Sequence, residues 1–143
     1  MCLIPRAIEK LHAASHCNVA FLGGSLTTGV GASDTSATSW RALFLKYLYR
    51  EYHPKYHCQV SEVMGGIGAC ESYVAAFTLC RNVLPHNPDL ALVEFCVNDR
   101  GAPDRSLVQK GMEGIVRQLM GAKNRCDPMI VGMGCRPGTD PAG

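Results

Sequence analysis

A serine follows an apolar segment and two glycines near the start of the chain. Residues 21–34 read FLGGSLTTGVGASD, so Ser25 stands where a predicted strand, 18–24, has just ended. Gly23 and Gly24 allow the sharp turn that presents a side chain at the end of a strand. Two kinds of site fit this pattern. One is a turn that exposes Ser25 as a nucleophile, and the other is a hydroxyl-rich loop that cradles a phosphate or another ligand.

Two further polar loops offer hydrogen-bond donors. The segment GGIGACES, residues 65–72, supplies backbone N–H groups with little steric bulk around them, and Asn98 supplies a side-chain amide. Donors of both kinds stabilise the oxyanion of an acyl transfer. A glycine cluster can also be only a tight turn, and Asn–Asp after a strand is often only a turn or a cap. We expect Asp99 to cap the following turn or to pair with Arg100.

Short apolar runs alternate with longer amphipathic ones along the chain. The pattern predicts strands at 18–24, 57–66, 89–99 and 127–134, and helices at 39–53, 71–84 and 105–123. Thr38 or Ser39 is the predicted N-cap of the first of these helices, and Pro54 is predicted to end it. This alternation predicts a doubly wound α/β fold with a parallel sheet, in which ligands bind outside the carboxyl ends of the strands. The three polar loops all follow such ends.

Three segments, taken in order, resemble the first three sequence blocks of the SGNH (GDSL-type) hydrolases. They are FLGGSLTTG, GGIGACES and VEFCVNDR, and the resemblance spans about residues 17–136. It implies a flavodoxin-like three-layer α/β/α fold and hydrolysis of a small-molecule or carbohydrate ester through an acyl-enzyme, with no cofactor or metal. It also implies that Ser25 is the nucleophile, and that Ser25 N–H, the Gly68/Ala69 amide and Asn98 form the oxyanion hole. Met64 and Ala69 depart from the family's asparagine and glycine.

The family's last block, Asp-x-x-His, has no counterpart here, because no histidine follows His86. The five histidines fall before the predicted strands or at their amino ends, at the opposite end of the sheet from Ser25. The resemblance therefore implies a single domain over 1–143 that is incomplete at its C terminus and lacks its last strand and helix, with 1–16 as a lead-in. We expect the fourth strand to be an exposed edge that favours self-association and low stability.

The composition of the chain excludes several classes of partner. The 143 residues carry a net charge of +2 with no basic block, which argues against a nucleic-acid partner. There is no apolar run of the roughly 18 residues that a membrane span needs, and no secretory signal is evident, so we expect a cytoplasmic protein. The eight cysteines form no Cys-x-x-Cys pair. Cys58 and Cys96 lie in apolar runs, and we expect reduced, buried thiols.

Two other functions remain open from the sequence. SLTTGVG resembles the phosphate loop of flavodoxins, which would make the chain a flavin- or phosphate-binding module. Leu26 and Val30 stand where that loop prefers hydroxyls, and Asn98 would have no role. A catalytically inactive SGNH-like domain that binds a partner or a carbohydrate is the other alternative.

Overall fold

The computed structural model describes residues 4–133, which fold into an α/β unit. Residues 134–143, and with them the end of the predicted fourth strand, lie outside the described residues. The elements, in chain order, are α1 (Pro5–Leu11), β1 (His16–Gly23), α2 (Ser25–Thr28), α3 (Trp40–Tyr56), β2 (Gln59–Met64), α4 (Ser72–Asn82), a 3₁₀ turn (Leu84–His86), β3 (Leu90–Glu94), α5 (Cys96–Arg100), α6 (Arg105–Gly121) and β4 (Asp127–Ile130).

The four strands form one parallel sheet in the order β2-β1-β3-β4. This is the flavodoxin-like order: β2 is added on one side of β1, and β3 and β4 are added on its other side. The predicted fold class is therefore confirmed. Because the strands are parallel, the loops that follow β1, β2 and β3 all lie at the carboxyl ends of the strands, on the same end of the sheet. Among the described residues, β4 lies at one side of the sheet, and its Ile130 is exposed.

Helices cover both faces of the sheet, because side chains alternate along each strand. On one face Ala20 and Leu22 of β1 pack in a cluster with α4 and α6. On the other face Val19 and Phe21 pack in a cluster with α1 and α3. The ring of Trp40 meets Phe21 edge-to-face, with 5.2 Å between the ring centroids. The first turn of α3 is thereby fixed against the strand that leads to Ser25.

The helix α3 begins as predicted but ends later. Ser39 is its N-cap, and the Ser39 Oγ accepts a hydrogen bond from the Ala42 N–H at 3.3 Å. The prediction that Pro54 ends this helix is wrong, because the helix continues to Tyr56. Proline removes one N–H donor, and in the last turn that loss affects a single hydrogen bond. His57, whose φ is 56°, follows as the C-cap residue.

The predicted strand at 89–99 is too long at its carboxyl end. The strand β3 stops at Glu94, and the short helix α5 follows it. The buried Glu94 carboxylate accepts a hydrogen bond from the Cys96 N–H at 3.1 Å, which turns the chain out of the sheet. Asn98 consequently lies on a helical turn. Cys96 is exposed, so the expectation of a buried thiol is wrong there, whereas Cys58 is buried as expected.

The lead-in at 1–16 contains a helix that the sequence patterns did not predict. The helix α1 is tied to the amino ends of β3 and β4: Arg6 pairs with Asp89 at 3.0 Å, and Asp127 accepts a hydrogen bond from the Ala7 N–H. Within residues 4–133, no helix has both the length and the hydropathy to cross a membrane. The same residues contain no cluster of His, Cys, Asp and Glu side chains that could hold a metal ion.

Candidate active site

Ser25 is the first residue of α2, a four-residue helix that directly follows β1 and Gly24. The turn is held by its own hydrogen bonds: the Thr28 hydroxyl and the Gly29 N–H both donate to the Ser25 carbonyl, at 2.8 and 3.1 Å. Gly29 ends the helix with a φ of 105°. The N–H of a first helical residue has no acceptor within the helix, so the Ser25 N–H is free to bind an external oxygen.

The loop after β2 runs beside this turn. The Ile67 N–H donates to the Gly23 carbonyl at 2.9 Å, so the loop is fastened two residues before Ser25. Gly68 follows at once and is exposed, with open space where a side chain would be. Ala69 has a φ of 53°, in the left-handed region that glycine prefers. The loop therefore presents small residues beside α2, at the site where the resemblance implies a glycine.

Asn98 lies against the residue that precedes the serine. A β carbon added at Gly24 would overlap the Asn98 side chain, so the amide covers the backbone of residue 24. Ser25, the 65–72 loop and Asn98, which are far apart in sequence, thus come together at the carboxyl ends of β1, β2 and β3. The three segments singled out in the sequence share one location.

Asp99 plays a different structural part from the one predicted. Its carboxylate accepts a hydrogen bond from the Ser72 N–H at 2.9 Å, so it caps α4 and not the turn that follows it. The N-cap residue Glu71 makes no side-chain capping bond, which leaves the first N–H groups of α4 to an outside acceptor. This hydrogen bond ties the end of the 65–72 loop to the turn that carries Asn98. Sequence patterns missed it because the two residues are 27 positions apart.

The histidines are distant from Ser25. His12 ends α1, His16 begins β1, His53 and His57 lie at the end of α3, and His86 lies in the 3₁₀ turn before β3. All five are at the amino ends of the strands. The strand β1 has eight residues, which span about 25 Å at roughly 3.3 Å per residue. None of these imidazoles is within reach of the serine hydroxyl, as the sequence predicted.

An apolar groove of about 210 Å³ lies beside the turn that carries Ser25. Among residues 4–133, no acidic or basic residue lines it, and it runs from α2 to the start of α3. The lining residues are Leu26, Gly29, Val30, Gly31, Ala32, Thr38, Ser39, Trp40 and Met133. Such a wall suits an uncharged organic group.

Comparison with known proteins links this architecture to ester hydrolases. Neither a protein-family model nor a curated protein matches the chain. Among solved structures, a two-domain esterase active on acetylated mannans is 24% identical and superposes with a TM-score of 0.78 over 90% of this chain and 33% of its own. TesA is 22% identical, with a TM-score of 0.68 over 87% of this chain and 64% of its own. A protein of the G-D-S-L family from Desulfitobacterium hafniense is 18% identical, with a TM-score of 0.61 over 79% and 57%.

The similarity is one of fold. The chain spans about a third of the length of the mannan esterase and just under two thirds of TesA. These ester-hydrolase neighbours give no support to the flavin-binding alternative. Superposition on these proteins over most of the chain, with TM-scores of 0.61 to 0.78, leads to one conclusion: this chain has the fold of the SGNH (GDSL-type) hydrolases.

Proposed function

We propose that this chain carries the nucleophile and the oxyanion hole of a serine ester hydrolase. Ser25 attacks the carbonyl carbon of a carboxylic ester, the alcohol leaves, and water then releases the acyl group from the serine. The observation that carries the proposal is the meeting of Ser25, the 65–72 loop and Asn98 at one edge of the sheet. Packing of the hydrophobic core does not explain why these residues lie together, since Ser25 and Asn98 are half-buried and Gly68 of the loop is exposed.

The oxyanion is held by three donors in this proposal: the Ser25 N–H, the N–H of Gly68 or Ala69, and the Asn98 side-chain amide. Each such donor lowers the barrier by about 3 kcal/mol when it is fixed before the reaction begins. The local contacts supply that rigidity, because the Gly23 carbonyl anchors one loop and Gly24 abuts the Asn98 side chain.

The general base is the part that these residues do not supply. A serine hydroxyl is a weak nucleophile without a base beside it, and no histidine lies at this end of the sheet. We propose that the base is a histidine of an Asp-x-x-His segment that follows the 143 residues. The chain by itself then retains only the catalysis of its oxyanion hole, which in a serine hydrolase without its triad is about 10³–10⁴-fold over water.

The groove beside α2 is a candidate site for an uncharged part of the ester. Its volume of about 210 Å³ exceeds the roughly 150 Å³ cavity that admits a six-membered ring such as benzene. A carbohydrate ester is the substrate class that we favour, since the neighbour with the highest TM-score of the three is active on acetylated mannans.

Ester hydrolysis with an added base tests this function. We would follow release of p-nitrophenol from p-nitrophenyl acetate with and without imidazole, in the wild type, in Ser25→Ala and in Ser36→Ala. Ser36 is an exposed serine of the following loop and serves as the matched control. We expect imidazole to accelerate the wild type and Ser36→Ala at least tenfold more than Ser25→Ala. Equal rates in all three proteins would contradict the proposal and would favour the inactive binding domain.

A further inference from the structure

Arg41 is buried in a place that disfavours a cation. It is the second residue of α3 and only 5% exposed. The N terminus of a helix carries partial positive charge, and burial strips a guanidinium of water. Burial lowers the pKa of Arg41 from its ordinary value. Its Nε–H has no partner among the residues that the structure describes. Compensating contacts must therefore hold this side chain in place.

Two contacts do so, and they lie on different elements. The Nη2 group of Arg41 donates to the carbonyl of Thr28, the last residue of α2, in a long hydrogen bond of 3.4 Å. The Nη1 group forms an ion pair with Glu62 of β2. Ser25 begins the helix that Thr28 ends, and three residues after Glu62 the chain enters the glycine-rich loop at Gly65. One buried side chain thus joins the two segments that carry the serine and the loop amide.

A second set of contacts joins the glycine-rich loop and α2 directly. A β carbon built on Gly66 would touch the methyl groups of Thr27 and Thr28, at 3.2 and 3.4 Å. The glycine loop therefore packs directly on the helix whose end Arg41 holds. A shift of α2 away from β2 would change the spacing between the Ser25 and Gly68 amides, because both are carried by the segments that Arg41 joins.

We propose that Arg41 is a positioning residue that fixes the nucleophile turn at its working distance from the oxyanion loop. This rests on the proposed function of Ser25. Arginine suits the role because its planar guanidinium offers several N–H donors in a fixed fork, which reach the carboxylate and the carbonyl together. Lysine carries a compact ammonium group, which keeps the positive charge but lacks the planar fork of donors.

The test compares Arg41→Lys and Glu62→Gln with Arg117→Lys. Arg117 makes a similar arginine–glutamate pair with Glu113, but on the exposed face of α6, and it is the matched control. Turnover of p-nitrophenyl acetate with imidazole is measured as kcat and KM, with Ser25→Ala as the floor. Urea unfolding reports stability, and ¹⁵N–¹H spectra report the amides of Ser25, Gly68 and Ala69.

We expect Arg41→Lys to lower kcat at least tenfold with KM within twofold, and to shift the amide signals of both segments. Glu62→Gln should do the same to a smaller extent, and Arg117→Lys should change neither. Unchanged amide signals in Arg41→Lys, or a rate loss that only follows the folded fraction, would overturn the positioning role. If the wild type hydrolyses no faster than Ser25→Ala, the proposed function fails, and the amide shifts alone then decide whether Arg41 positions both segments.

Discussion

The side chain of Asn98 lies directly against Gly24, and no room for a β carbon remains between them. This contact fixes the amide beside the turn that carries Ser25, and it makes glycine necessary at residue 24 for a reason other than backbone conformation. A methyl group there would push the amide away from the site.

Gly24→Ala is therefore expected to lower the Ser25-dependent rate by about 100-fold, which is the loss that follows removal of one oxyanion donor. Asn98→Ala should lose a similar factor. The double variant should be little slower than either single one, because both changes remove the same donor. The measurement is ester hydrolysis in the presence of imidazole.

Gly114→Ala is the control for this prediction. Gly114 lies in α6, where a β carbon would make only ordinary contact with Ala76. This substitution should keep the rate and raise the free energy of unfolding by about 0.5–1 kcal/mol. A normal rate in Gly24→Ala would show that the Asn98 amide is not part of the oxyanion hole.

Ala69 adopts a left-handed backbone with a φ of 53°, where a β carbon is strained. Ala69→Gly should leave its N–H in place and raise the free energy of unfolding by up to about 1 kcal/mol, since relief of strain exceeds the added chain entropy. Ala76→Gly, in the regular helix α4, should instead lower it by about 1 kcal/mol. Urea unfolding compares the two, and an equal loss in both variants would rule out strain at Ala69.

Two buried thiols make stability depend on alkaline pH. Burial raises the pKa of Cys17 and of Cys126 from 9.0 to about 12, and nearby carboxylates add to the effect, Asp89 at Cys17 and Asp127 at Cys126. The folded state keeps these protons above pH 9, where the unfolded chain releases them. The contribution to stability is therefore complete below pH 9 and lost between pH 9 and about 12.

We expect the free energy of unfolding to fall in that window by up to about 1.4 kcal/mol per pH unit for each thiol. Denaturant titrations at pH 8, 9 and 10 under reducing conditions would measure the slope. Cys126→Ala should reduce it by the share of one thiol. A slope that this substitution leaves unchanged would show that Cys126 does not contribute.

Within residues 4–133, β4 pairs with another strand on one side only, and the side chain of Ile130 is exposed. Unprotected edges of this kind pair with other chains. We therefore propose that the chain self-associates, and we expect its mass by light scattering to rise with concentration. Ile130→Lys should reduce the association, because charged side chains protect edges. A wild-type mass that stays monomeric up to about millimolar concentration would contradict this.

The sequence predicted the fold because the signals were local. The apolar runs around Phe21 and Leu92 and the glycines that follow the first two strands were enough to define parallel strands with polar loops at one end. Asn98 and Ser25 could be placed together for the same reason. The prediction that Pro54 ends α3 failed because the loss of one hydrogen bond in the last turn is small compared with the stabilisation from the packing of α3.

The remaining features depend on contacts between distant residues. Asp99 caps α4 across 27 positions, and Arg41 gains its role only when α2 and β2 lie beside it. No periodicity in the sequence marks any of these contacts, since each is created by the folded structure.

The central claim is that Ser25 is a nucleophile. The most direct test is to incubate the chain with a fluorophosphonate in the presence of imidazole and to locate the adduct by peptide mass spectrometry. We predict a covalent phosphonyl group on Ser25, absent from Ser25→Ala and present in Ser36→Ala. An adduct on another residue, or equal labelling of the wild type and Ser25→Ala, would contradict the account.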